Sequence, residues 1–317
     1  MKLRYVLLLL GVLAFVSLFI GVSSLSITDL FSMTEEQREI FWSSRIPRML
    51  SILIAGAGMA VAGLVMQQLT QNRLVSPTTA GTMDAARLGM LVSILFLAGA
   101  PALVRIGTAV AFAVAGTFIF MFILERVRRK DPIFIPLVGL MFGNILGSIT
   151  TFFAYRYDLI QNMTAWLQGN FASVISGEYE LLWLTVPVLL FTYWYADRIT
   201  AAGMGESFAR NLGVSYRTVI NTGLVSVALI TSLVVLSIGM IPFLGLIVPN
   251  LVTIFRGGHM RKNLPYTAVA GAAFVLICDI FGRTIIYPYE IPIGLTVGVI
   301  GSGIFLYLLL RRGRHGS

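Results

Sequence analysis

Apolar positions in this chain come in long uninterrupted blocks, not at the short period of an amphipathic surface helix or strand. Ten such blocks can be marked, at roughly 6–24, 47–68, 87–100, 104–124, 133–153, 181–196, 218–238, 242–255, 264–281 and 293–310. A helix needs about 20 apolar residues to cross a bilayer. The pattern therefore predicts an all-α, polytopic membrane protein of about ten transmembrane helices, in which 87–100 and 242–255 are short. Residues 1–317 read as one membrane domain. Pro136, Pro187 and Pro249 fall inside blocks and are expected to interrupt their helices, as packed membrane helices allow.

The second block differs from the others. It opens with Arg45-Ile46-Pro47-Arg48, continues through Ala55, Gly56, Ala57, Gly58, Ala60, Ala62 and Gly63, and closes on Gln67 and Asn72. Small residues let helices approach closely in a membrane. This helix is predicted to stand in the middle of the bundle.

Composition sharpens the class. The 317 residues are 57% hydrophobic and 12% charged, about half the charge of an ordinary soluble domain. The net charge of +9 would suit nucleic acid, but its placement does not. With ten spans both termini share a side. Lys2, Arg4, Arg311, Arg312 and Arg314 make that side basic, hence cytoplasmic. The same face then carries 16 of the 23 basic residues against four acidic ones, while the outer face has six basic and eight acidic. The charge is a topology signal, so no nucleic acid is expected. The first block, with its basic start and small residues at Gly21–Ser24, is read as an uncleaved helix, since cleavage would spoil this bias.

Candidate chemistry is sparse. The single Cys278 and two histidines, His259 and His315, leave no disulfide framework and no metal site, and no cofactor is expected. None of Lys2, Lys130 and Lys262 follows a glycine, so there is no phosphate-binding loop. Gly56, Gly58 and Gly63 miss the dinucleotide spacing and serve packing. No nucleophile constellation is visible, and the chain is not expected to be an enzyme. Asp84 and Arg87, three apart at the edge of the third block, are read as a mutually compensating intramembrane pair. Tyr155–Glu180 is read mostly as a short outer surface helix around Met163, Trp166 and Leu167.

On the inner side, the segment at about 198–217 contains Gly203-Met204-Gly205-Glu206-Ser207-Phe208-Ala209-Arg210-Asn211-Leu212-Gly213. Glycines bracket one or two helical turns whose Phe208 and Leu212 share a face, and Glu206 and Arg210 can pair at i, i+4. That is the form of a docking element for a cytoplasmic partner.

These motifs occur in a family order: Arg-x-Pro-Arg, the Gly/Ala helix ending in Gln, Asn72-x-Leu74-x-x-Pro77, the glycine-bracketed inner loop, Gly239-x-Ile241-x-Phe243-x-Gly245-Leu246-x-x-Pro249, Asp279-x-x-x-Arg283 and Glu290-x-Pro292-x-Gly294. From about Arg45 to Phe305 the chain resembles the permease subunits of bacterial ABC importers for iron–siderophores, haem and vitamin B12. It departs from that pattern at Arg73, Asn250 and Ser302. The stretch Asn72–Thr82 looks like the branch handling catecholate-type siderophores, with haem or cobalamin as the alternative cargo.

The resemblance implies a permease in the bacterial cytoplasmic membrane, dimerised with itself or a second permease subunit. Two cytoplasmic ATPases would bind below and an extracytoplasmic siderophore-binding protein above. It further implies that Gly203–Gly213 couples to the ATPase, that Asn72, Leu74 and Asp131 lie near a cytoplasmic gate, and that Arg45, Arg48 and Arg283 receive acidic residues of the binding protein. An ion-coupled secondary transporter would instead want carboxylates facing a cavity and internal repeats; only Asp84 and Asp279 are available, and no repeat is evident.

Overall fold

The computed structural model describes residues 3–21, 33–126, 134–177 and 179–313. Among these there is no strand, and the described part of each of the ten apolar blocks falls largely in helix. The helices are α1 (Leu3–Phe19), α2 (Glu35–Ile40), α3 (Ile46–Leu69), α4 (Thr82–Phe96), α5 (Ala102–Arg126), α6 (Phe134–Arg156), α7 (Ile160–Leu167), α8 (Thr185–Ala202), α9 (Glu206–Asn211), α10 (Tyr216–Ile238), α11 (Leu244–Arg256), α12 (Met260–Thr284) and α13 (Ile293–Gly313). Among the described residues five helical stretches are long and apolar enough to cross a membrane: Glu35–Leu69, Leu103–Arg126, Phe134–Arg156, Tyr216–Ile238 and Met260–Thr284.

α3 is central because its surface is nearly smooth. A Cβ added at Gly56 would lie 2.8 Å from the Ala272 backbone, and one at Gly63 only 1.9 Å from the Gly245 carbonyl oxygen. Backbone therefore touches backbone where α3 meets α12 and α11, and no larger residue fits. One half of α3 (Ile52, Met59) packs with Val234, Val275 and Leu276. The other half (Val61, Val65, Leu69) packs with Tyr195, Ile220 and Leu264. By contrast α5 and α6 are largely exposed along their length.

The prolines act differently from one another. Pro136 and Pro187 lie in the first turns of α6 and α8, where proline's missing N–H is tolerated, so they do not interrupt those helices as expected. Pro249 is inside α11. Pro47 cannot donate back to Ser43, and the chain just before it opens into a wide π turn, Phe41–Arg45. The carbonyls released there are taken up from afar: Ser176 donates its N–H to Ser43 at 2.9 Å and its hydroxyl to Trp42 at 3.2 Å. Residues 168–177 are therefore not a continued surface helix. The expected helix ends with α7, whose Met163 is buried, and the chain then runs inward against α10 and α13.

α4 has only 15 residues because it starts deep in the bundle. After α3 the chain turns at Gln71, which has φ +52°, and residues 72–81 climb back between helices, with Ser76 and Ala80 wholly buried. Thr82, the first residue of α4, meets the hydroxyl of Thr117 at 2.9 Å. Thr117 lies nine residues before the end of α5, about 14 Å along the axis at 1.5 Å per residue.

Candidate functional site

The ends of α3 and α12 that the charge distribution predicts to be outer are joined by charge. Arg48 donates to Asp279 and to Glu290, each at 2.8 Å, and Arg283 pairs with the other oxygen of Asp279 at 2.6 Å. The i, i+4 spacing of Asp279 and Arg283 puts both on one face of α12, which makes this local pair readable in the sequence. Arg283 also donates to the carbonyls of Ser17 and Ile20, and Arg45 to that of Leu18. Those oxygens belong to the last turn of α1, where a helix has no intrahelical donors left and favours cations. The three arginines are thus not free outer cations. Arg45 and Arg283 are 9% and 6% exposed, and together they fasten α1 to α3 and α12.

The opposite end of α3, predicted to be inner, is joined without charge. Pro249 has no N–H to give Gly245, and the freed carbonyl is met by the side-chain amide of Gln67, which lies 3.3 Å from the oxygens of both Gly245 and Leu246. Asn250 donates at 2.7 Å to Leu246 and at 2.7 Å to the carbonyl of Arg73. Two positions that depart from the family pattern thereby meet in space. Arg73 belongs to the turn whose Asn72 side chain accepts from the Leu74 N–H at 2.9 Å. Ser76 and Thr79 close the next turn reciprocally, each side chain accepting the other's backbone N–H at 2.9 and 3.3 Å. Asn72 is buried and Leu74 half-buried; Asp131, the third residue expected at a gate, lies outside the described residues.

The glycine-bracketed segment forms the short helix α9 after α8. Glu206 and Arg210 pair at 2.6 Å. Ala209 faces the core, while Phe208 and Leu212 are 44% and 58% exposed. The sharp turns fall at Gly205 (φ +109°) and Gly213 (φ +70°). Gly203, expected to be the entry hinge, has ordinary helical φ. Its need is steric instead: a Cβ there would stand 2.1 Å from the Gln68 side chain. This places the base of the glycine-bracketed segment directly on the C-terminal end of α3, a contact the sequence did not announce.

Asp84 and Arg87 sit one turn apart on α4, within electrostatic reach of each other but with no ion-pair contact within 4 Å. Asp84 also lies against α6, its carboxylate oxygen 2.7 Å from where a Cβ of Gly143 would stand. The bare backbone at Gly143 leaves room for the short Asp84 side chain against α6.

The chain was compared with known families and structures. Residues 8–311 match the model of the FecCD transport family. The petrobactin import system permease protein YclN of Bacillus subtilis is 58% identical over 312 residues, which is 98% of this chain and 99% of that protein. The ferric-anguibactin transport system permease protein FatD of Vibrio anguillarum is 38% identical over 93% of this chain and 94% of its own length. Among solved structures, one titled "An inward-facing conformation of a putative metal-chelate type ABC transporter" superposes with a TM-score of 0.83 over 98% of both chains at 24% identity, a likeness of fold.

Proposed function

This chain belongs to the FecCD transport family, and on that premise we propose that it is the permease subunit of an ABC importer that takes up an iron–siderophore complex across the bacterial cytoplasmic membrane. One observation carries the cargo: near-complete alignment at 58% identity with a permease named for petrobactin import. A catecholate-type chelate is the form we propose for it. The proposed topology is ten spans with both termini in the cytoplasm, the arrangement that the distribution of basic residues favours.

In this reading the chain moves substrate and hydrolyses nothing. Two cytoplasmic ATPase subunits supply the work, entering through α9, whose Phe208 and Leu212 are apolar, exposed and carried on glycine turns. A second permease subunit covers exposed apolar surface of this one. A siderophore-binding protein docks over the outer ends of α3 and α12. Docking there requires an incoming carboxylate to replace Glu290, whose side chain is 24% exposed, at Arg48, because no guanidinium of the cluster stands free. The gate is proposed at Asn72 and Leu74, with Asp131 on the following inner connection.

The test is a coupling mutant in the complete transporter. Phe208→Asp with Leu212→Asp is expected to leave the permease in the membrane and able to capture the loaded binding protein. Substrate-stimulated ATP hydrolysis and uptake are expected to vanish together. Uptake that persists in this double mutant with the ATPase still bound would move the coupling site elsewhere.

A further inference from the structure

The long apolar helices α5 and α6 are the least buried of their kind, yet their exposed side is not uniformly apolar. Between α4 and α6 opens a cavity of about 500 Å³ walled by Asp84, Arg87, Asn144, Ser148 and Thr151. Gly143 and Gly147 of α6 form its floor. It sits deep along the helices. Gly143 is nine residues into α6, about 14 Å from that helix's start, matching the depth of Thr82 and Thr117.

Its charges are only loosely matched. Asp84 and Arg87 stand within electrostatic reach of each other on α4 but form no ion pair within 4 Å, and the buried Nε of Arg87 has no hydrogen-bond partner. A charged group at such depth is too costly to present to hydrocarbon. It faces water, a substrate path or a partner. Three further polar side chains, Asn144, Ser148 and Thr151 of α6, extend the same notch over about two turns; Ser148 donates to the Asn144 carbonyl, while the Asn144 amide would be left unsatisfied by lipid. The cavity opens outward from this chain, so the water it needs lies between this chain and whatever stands opposite.

We propose that this notch lines the water-filled translocation path and is a weak way-station for an anionic ferric chelate, with Arg87 as the attracting cation. The proposal rests on the importer reading above. Ferric iron is held by deprotonated oxygen donors such as catecholates, so its chelates carry negative charge that a guanidinium attracts. Asp84, one turn away, limits that attraction. Passage requires a site favourable enough to enter and weak enough to leave.

The sole native cysteine, Cys278, is 1% exposed and serves as a silent background for labelling. Single cysteines are placed at Ser148 and Thr151, with Leu190→Cys on α8 as an exposed apolar control. The complete transporter in membrane vesicles is treated with a charged, membrane-impermeant methanethiosulfonate or with a membrane-permeant maleimide. Ser148→Cys and Thr151→Cys are expected to react with the charged reagent at least tenfold faster than Leu190→Cys, and ferric catecholate is expected to slow them.

Separately, Arg87→Gln is expected to raise the substrate concentration for half-maximal uptake several-fold, with Arg87→Lys restoring most of it. Labelling of the notch cysteines by the permeant reagent alone would mean that lipid or a protein partner covers the notch, and would overturn this inference. Uptake by the unmodified transporter, measured in the same vesicles, separates the two failures. With uptake intact only the path assignment falls, and with uptake absent the importer reading falls with it.

Discussion

At its outer end α3 is held by guanidinium and carboxylate: Arg48 bridges Asp279 and Glu290 while Arg283 shares Asp279. At its inner end it is held by neutral amides reaching carbonyls, Gln67 to α11 and Asn250 to the turn at Arg73. The same helix is thus fastened by interactions of different consequence. Separating a buried ion pair strands charge in a low dielectric, and no partial opening is cheap. Loosening an amide–carbonyl contact leaves a dipole, whose loss is smaller and which water at an inner mouth can replace. The inner end, which also bears on Gly203 at the base of α9, is therefore the end that opens at lower cost.

Breaking the outer end should give the largest effect. Asp279→Asn leaves Arg48 and Arg283 with Glu290 as their one remaining carboxylate, and is expected to destabilise the purified permease by about 3–5 kcal/mol. Denaturation in detergent reads this directly. A loss under about 1 kcal/mol would mean that charge does not hold this end.

Gly63→Ala attacks the inner end by volume. The added methyl would stand 1.9 Å from the Gly245 oxygen, pushing α3 off α11 and pulling Gln67 away from its carbonyls. An expected cost of about 1–3 kcal/mol should appear as a lowered unfolding temperature. Gly107→Ala, where nothing lies within 4 Å of the new Cβ, should show no loss and is the matched control.

The smallest change sharpens the contrast. Asn250→Ala removes one donor from Leu246, which keeps Gln67, and from the exposed turn at Arg73. Stability should fall by about 1 kcal/mol or less. Amide exchange at residues 72–80 should quicken while the outer end of α3 is unchanged. Equal quickening at both ends would erase the distinction drawn here.

Much of the candidate site was legible in one dimension. The i, i+4 pairs Glu206–Arg210 and Asp279–Arg283 follow from helical spacing, and the smooth face of α3 follows from its glycines and alanines. Apart from those pairs the arginines were legible only as charges. Their other partners lie far off in the sequence: Leu18 is 27 residues from Arg45, Glu290 is 242 residues from Arg48 and Ser17 is 266 residues from Arg283. For Asp84 helical spacing gives Arg87 as its neighbour on α4, but not Gly143 of α6, which its carboxylate also lies against.

Hydropathy and residue size by themselves determined that the chain is helical, where its apolar helices lie and which one is central, since these depend on each segment's own composition. Pro47 and Pro249 likewise announce that carbonyls four residues earlier lose a donor. Only the tertiary structure decided who answers them: Ser176 for the turn before Pro47 and Gln67 for Gly245. A freed carbonyl specifies a need for a donor and not its address. The address is set by which helices pack backbone to backbone, a property of the whole bundle that no local pattern encodes.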